Sequence, residues 1–255
     1  MNRDRTAYHP LVLYFILWLV VVLFSWMDSV YELITLSPSS NGEMVHTVVQ
    51  NLLSAESVRW LVRNVIPNFL QSPVGEALLV LTALGVIDRS GLLSLLFGFV
   101  RRRKSSVKQR RAFIISLFSF LLIVAVLSLS IIRPWGILLG VTGSLSQSPF
   151  AHGLLFLVAF VLSVTGIVYG SLSGEFRSTG DVVEGLTHYL SLYASFFLTL
   201  FMASQLVACI RYSQLNVMLG IGEESFEYIA QVIYWLPLLY LFFLHHRQTV
   251  TGMRS

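Results

Sequence analysis

Polar side chains are scarce in the apolar runs of this sequence, so each one invites a chemical question. The densest set is Ser191, Ser195 and Thr199, four residues apart, followed by Ser204 and Gln205. A spacing of four puts the first three on one face of a helix. A hydroxyl stripe of this kind either hydrogen-bonds a neighbouring helix or lines a water-filled or solute cavity. Both readings stand, and Ser191, Ser195, Thr199 and Gln205 are the candidate substrate-binding residues. Glu76 and the pair Asp88-Arg89 are the other ionisable groups in apolar surroundings. Glu76 lies one turn from Pro73 and can snorkel to an interface. An ionised pair in hydrocarbon is costly, so a helix break is expected over Asp88-Arg89-Ser90-Gly91. His152 would need a carboxylate partner to relay protons, and none lies in sequence reach, so it reads as an interfacial histidine. His245 and His246 are adjacent and point apart on a helix, which argues against a metal pair. Cys209 is the only cysteine, which excludes an intramolecular disulfide and a Cys-based metal cluster. There is no Walker A loop, HExxH, GxSxG or GxGxxG after a strand. No catalytic residue, metal or cofactor is expected, and the chain does not read as an enzyme.

The elements that must position these residues are membrane spans. The 255 residues are 55% hydrophobic and 12% charged, with mean hydropathy +0.75. A soluble domain typically carries about 25% charged residues. Many of the aromatic residues stand near the ends of apolar runs, where interfacial anchors belong. We expect an all-α polytopic membrane protein with about six transmembrane helices, forming one membrane domain over 1–255. The spans fall at Leu11–Met27, Val74–Val100, Ala112–Ile132, Phe150–Tyr169, His188–Ile210 and Phe226–Leu244. Ser37-Pro-Ser-Ser-Asn-Gly42 marks a turn. Asn51–Phe69 reads as an extra helix, interfacial or lying against the bundle, with Ser54 capping its start and Pro67 bending or ending it. Its residues Trp60, Leu61, Val65 and Phe69 share one face. The glycines at 166, 170 and 174 allow a neighbouring backbone to approach. This packing face lies either between helices of one subunit or between subunits.

Sidedness rests on Arg101–Arg111, which holds Arg101, Arg102, Arg103, Lys104, Lys108, Arg110 and Arg111 without an acid. A short basic loop between apolar segments stays in the cytoplasm and can also meet anionic headgroups. Its neighbours are too apolar for a nucleic-acid-binding domain. Arg3, Arg5, Arg177, Arg247 and Arg254 fall on the same side, whereas Arg59, Arg63, Arg133 and Arg211 fall on the other. Both termini are therefore expected inside.

Several separated stretches resemble the AbgT-type transporters, a family named for uptake of p-aminobenzoyl-glutamate. They are His9-Pro10-Leu11-Val12, Asn51–Phe69, Asp88-Arg89-Ser90-Gly91-Leu92-Leu93, Ser148-Pro149-Phe150, Gly166–Gly170, Ser178-Thr-Gly-Asp181-Val-Val-Glu-Gly185, Ala203–Ala208 running on to Ser213, and Ile233-Tyr-Trp-Leu-Pro237. The resemblance covers most of the chain. It implies a bacterial inner-membrane transporter of aromatic or amino-acid-like solutes, built as a homodimer. It also implies a far longer chain, whose transport core holds two re-entrant hairpins and the strings "SDAGY" and "GSASAKW…GDSxTN". Neither string occurs here. The basic stretch takes the place of the first block, and Gln214–Ser225 takes the place of the second. The resemblance thus implies a shortened form that retains the scaffold and dimerisation part. Such a chain is expected to be unable to transport alone, or to act as a dimeric scaffold for a partner protein or a separately encoded core.

Overall fold

The structure is a computed structural model that describes residues 8–31, 37–38, 44–45, 49–100, 106–131, 137–139 and 148–252. The described elements are α1 (His9–Tyr31), β1 (Ser37–Pro38), β2 (Met44–Val45), α2 (Ala55–Gln71), α3 (Val74–Arg89), α4 (Leu92–Val100), α5 (Val107–Leu129), α6 (Pro149–Ser173), α7 (Thr179–Leu192), α8 (Ala194–Tyr212), α9 (Leu215–Met218) and α10 (Glu223–Gly252). Among the described residues the protein is all-α apart from the two-residue antiparallel pair β1–β2, with Ser37 opposite Val45; residues 39–42 of the expected turn lie outside the described residues. Among the described residues, six helical stretches are long and apolar enough to cross a membrane. They are His9–Asp28, Ala55–Arg89, Val107–Leu129, Pro149–Ser173, Ala194–Tyr212 and Glu223–His245. The chain is a polytopic membrane protein.

Local sequence sets the helix ends. The Ser54 hydroxyl accepts the Ser57 N–H at 3.2 Å and so caps α2. Pro67 lies inside α2 and does not end it. The helix stops at Ser72, whose hydroxyl donates to the Phe69 carbonyl at 2.6 Å, and Pro73 follows. Ser106 and Gln109 form a capping box at the start of α5, satisfying two donors that the helix itself leaves open. Arg101, Arg102, Arg103 and Lys104 lie outside the described residues, while Lys108, Arg110 and Arg111 stand in the first turns of α5.

Two compact units are present, one formed by 1–74 with 193–255 and the other by 75–192. In the first, α8 is central and packs against α1, α2 and α10. Val22, Leu52 and Cys209 are buried together, with Trp18, Trp60, Leu61 and Tyr212 around them. The Trp60 and Tyr212 rings stack at 3.9 Å. In the second, α6 packs against α5 and α4, and Tyr169 is buried with Ile87, Leu92, Leu95 and Ala112.

The glycines explain how the second unit closes. A Cβ on Gly166 would stand 2.8 Å from Val86 Cγ1, so α3 lies directly on this part of α6. A Cβ on Gly170 would enter the ring of Phe176, and one on Gly185 would come within 3.0 Å of that ring. Phe176, itself buried, therefore fills the hollow that both glycines leave. Gly174 ends α6 at φ 90°, a left-handed conformation that suits glycine. A Cβ there would lie 2.6 Å from the Lys108 ammonium. That cation is well placed for the negative end of the α6 dipole. The contacts at Gly166, Gly170 and Gly174 are thus made within one chain.

Candidate functional site

In the first unit the buried polar side chains form a belt between α2 and α8. Asn68 donates from Nδ2 to Gln205 Oε1 at 3.2 Å. Gln205 donates from Nε2 to the Val65 carbonyl at 3.0 Å and to Ser204 Oγ at 3.2 Å. Ser204 donates onward to the Phe201 carbonyl at 2.7 Å. Asn68, Ser204 and Gln205 are all buried. Such groups are costly in an apolar setting unless paired, and here each has a partner, so the belt joins two helices. Nothing local in the sequence marks Asn68, because its partner is far away in the chain.

The stripe Ser191, Ser195 and Thr199 does not run along one helix. The chain leaves helical geometry at Tyr193, with φ −108° and ψ 27°, between α7 and α8. Ser191 is exposed at the end of α7, whereas Ser195 and Thr199 lie on α8. The Thr199 hydroxyl donates to the Ser195 carbonyl of its own helix at 3.0 Å. The break follows from packing. Tyr193 is buried, with its ring 4.6 Å from Phe242 and 6.3 Å from His245 of α10.

Cys209 is 1% exposed and accepts the Trp18 indole N–H at 3.3 Å. Burial therefore shields the only thiol from aqueous reagents on either side. Near it, Arg211 pairs with Glu223 at 2.8 Å and Glu227 at 2.6 Å. These pairs close the connection Gln214–Ser225 at its base. Within it, Gln214 adopts φ 61° and Gly220 φ 70°, and the Ile221 N–H donates to the Asn216 carbonyl at 2.9 Å.

In the second unit the helix break falls where the charged pair stands. Gly91 takes φ 78°, its N–H donates to the Asp88 carbonyl at 3.0 Å, and the buried Ser90 hydroxyl donates to the Ile87 carbonyl. Asp88 and Arg89 are exposed and make separate contacts. Arg89 pairs with Glu184 of α7 at 2.9 Å. Asp88 accepts the Tyr189 hydroxyl at 3.2 Å and lies 4.0 Å from His188 Nε2. Exposed pairs of this kind add little stability. Closer packing comes from Gly85, where a Cβ would stand 2.8 Å from the Gly185 carbonyl oxygen. At the start of α7, Asp181 accepts the N–H groups of Arg177 at 2.7 Å and Ser178 at 2.9 Å. These bonds hold its carboxyl below the usual carboxylate range. Glu76 and His152 are exposed in the first turns of α3 and α6.

Two apolar grooves lie among the described residues. One, of 320 Å³, lies between α5 and α6. The other, of 790 Å³, lies between α1 and α10. The second groove runs along residues 9–14 of α1 and 236–243 of α10. Among the described residues no group of three or more His, Cys, Asp or Glu could hold a metal ion.

The fold is shared with solved transporters. The YdaH transporter of Alcanivorax borkumensis aligns with a TM-score of 0.72 at 19% identity, over 83% of this chain and 72% of that one. MtrF of Neisseria gonorrhoeae, whose structure is described as illuminating a class of antimetabolite efflux pumps, aligns with a TM-score of 0.66 at 15% identity. That match covers 91% of this chain and 80% of MtrF. No curated protein matches significantly. A profile of the AbgT transporter family matches in two stretches, residues 5–107 and 100–241. With nearly the whole sequence inside those two stretches, this chain belongs to the AbgT transporter family.

Proposed function

We propose that this chain is the helical frame of an AbgT-type transporter and that it moves no solute unaided. The observation that carries the reading is the two-part family match, whose halves meet at residues 100–107. That is where the resemblance places the first polar re-entrant block of longer members. The second expected position, Gln214–Ser225, is a closed turn clamped by Arg211. Solute sites pair an apolar lining with a few convergent polar groups. Here Gln205 engages its amide with Asn68, Ser204 and the Val65 carbonyl. In this reading Ser195, Thr199 and Gln205 serve helix packing, and the solute class handled by a complete assembly is p-aminobenzoyl-glutamate or a similar aromatic, amino-acid-like molecule. The chain sits in the bacterial inner membrane with both termini cytoplasmic, and it forms a homodimer.

A second reading is a scaffold that holds a separately encoded core, for which α5 offers an exposed apolar face. Phe118 is 67% exposed and Ile114 58%, so α5 has ample surface for a partner helix or for lipid. Equilibrium binding separates frame from transporter. Radiolabelled p-aminobenzoyl-glutamate should not bind the purified chain in nanodiscs. Saturable binding that Gln205→Leu abolishes would place a working site in the belt and overturn the proposal.

A further inference from the structure

Helix α2 turns one face inward and leaves the other exposed. On the inner face Ser57 and Asn68 are buried and Trp60 stacks on Tyr212. The outer face changes character along its length. Its later turns carry Val62, Ile66 and Leu70, which are 73%, 68% and 67% exposed. Residues four apart lie above one another on a helix, so these three form one apolar ridge. The earlier turns carry Glu56, Arg59 and Arg63, all exposed. Helical geometry sets these three within about 60° of one another and in line with the ridge. Among the described residues none of them makes an ion pair or a side-chain hydrogen bond. Arg89 and Arg211, by contrast, both pair with acids.

Read from the end of α2 back to its start, the outer face is apolar, then cationic, then anionic. Two guanidinium groups one turn apart can close on a single phosphate. Glu56 stands about 4.5 Å beyond Arg59 along the axis, within reach of an amine two carbons from that phosphate. One class of membrane molecule carries an acyl chain, a phosphate and an amine in that order. We propose that this face binds a phospholipid with an ethanolamine headgroup. The acyl chain lies on Val62, Ile66 and Leu70, the phosphate between Arg59 and Arg63, and the ammonium at Glu56. An anionic lipid would satisfy the arginines and leave its charge facing Glu56. A choline headgroup has the cation but no N–H to donate. The proposal does not depend on whether the chain transports solute.

The test is native mass spectrometry of the full chain, comparing retention of phosphatidylethanolamine, phosphatidylcholine and phosphatidylglycerol with identical acyl chains. One exposed ion pair supports a preference of about threefold for phosphatidylethanolamine over each of the others. Glu56→Gln should remove that preference without lowering retention of phosphatidylglycerol, which also shows that the variant is folded. Replacing both Arg59 and Arg63 by Gln should lower retention of all three lipids, whereas Arg110→Gln on α5 should leave the preference as in the parent. Phosphatidylcholine or phosphatidylglycerol retained as well as phosphatidylethanolamine by the parent would overturn the proposal. So would a preference that survives Glu56→Gln, or retention that survives loss of both arginines. A shift from dimer to monomer in the arginine variant would also overturn it, because a second copy of the chain would then cover this face.

Discussion

Removing the Tyr14 hydroxyl should cost more than an average interhelical hydrogen bond. Tyr14→Phe keeps the ring and deletes only the donor to Ile233. Interhelical bonds in bilayers average about 0.6 kcal/mol with a maximum near 1.7, because the unfolded reference finds other partners. A buried carbonyl left without any donor costs about 1–3 kcal/mol. Pro237 has no N–H, so this carbonyl has no helical donor to fall back on, and Tyr14 is only 4% exposed. A loss of about 1.5 kcal/mol, near tenfold in the unfolding equilibrium, is therefore expected. Pro237→Ala supplies the missing N–H, so in that background Tyr14→Phe should cost less than about 0.5 kcal/mol. The assay is steric trapping of the unfolded state in bicelles for the parent, both single variants and the double variant. An equal cost of Tyr14→Phe in both backgrounds would show that the hydroxyl acts through something other than the proline gap.

Two further perturbations test the second unit. Gly85→Leu forces a side chain into the Gly185 backbone, whereas nothing lies within 4 Å of a Cβ on Gly75. The thermal unfolding midpoint should fall sharply for Gly85→Leu and stay within a degree or two for Gly75→Leu; matching midpoints would contradict the packing. Asp181 anchors the first turn of α7 as an anion. Its folded pKa lies below its unfolded value of about 3.9, so the anchor is fully present above that value and is lost as pH falls through the folded pKa. Amide protection in residues 179–182 should fall in acid, and Asp181→Asn should show the acid behaviour at pH 7; protection that ignores both pH and the substitution would remove Asp181 from this role.

Features marked by a local chemical signal were legible in the sequence. Gly91 after a charged pair announces a break, and Ser54 announces the start of α2. Six apolar stretches announce a membrane protein. The break at Tyr193 had no such signal, because Tyr193 lies in a stretch with neither Gly nor Pro. Packing of its ring against Phe242 and His245 decides that geometry. Pro67 shows the converse, since a residue that usually ends a helix lies within α2. Long-range pairs were illegible for a simpler reason. The bonds from Asn68 to Gln205 and from Tyr14 to Ile233 join residues 137 and 219 positions apart, and no periodicity within one helix encodes its neighbour. Phe176 is legible only once Gly170 and Gly185 are brought together by folding.

A frame that does not transport alone should move no solute in isolation. The most direct test is uptake of radiolabelled p-aminobenzoyl-glutamate into proteoliposomes holding only this chain, under imposed sodium and proton gradients. Uptake should be no greater than into protein-free liposomes under either gradient. Saturable, gradient-dependent uptake that is lost on changing Gln205 or Asp88 would contradict it.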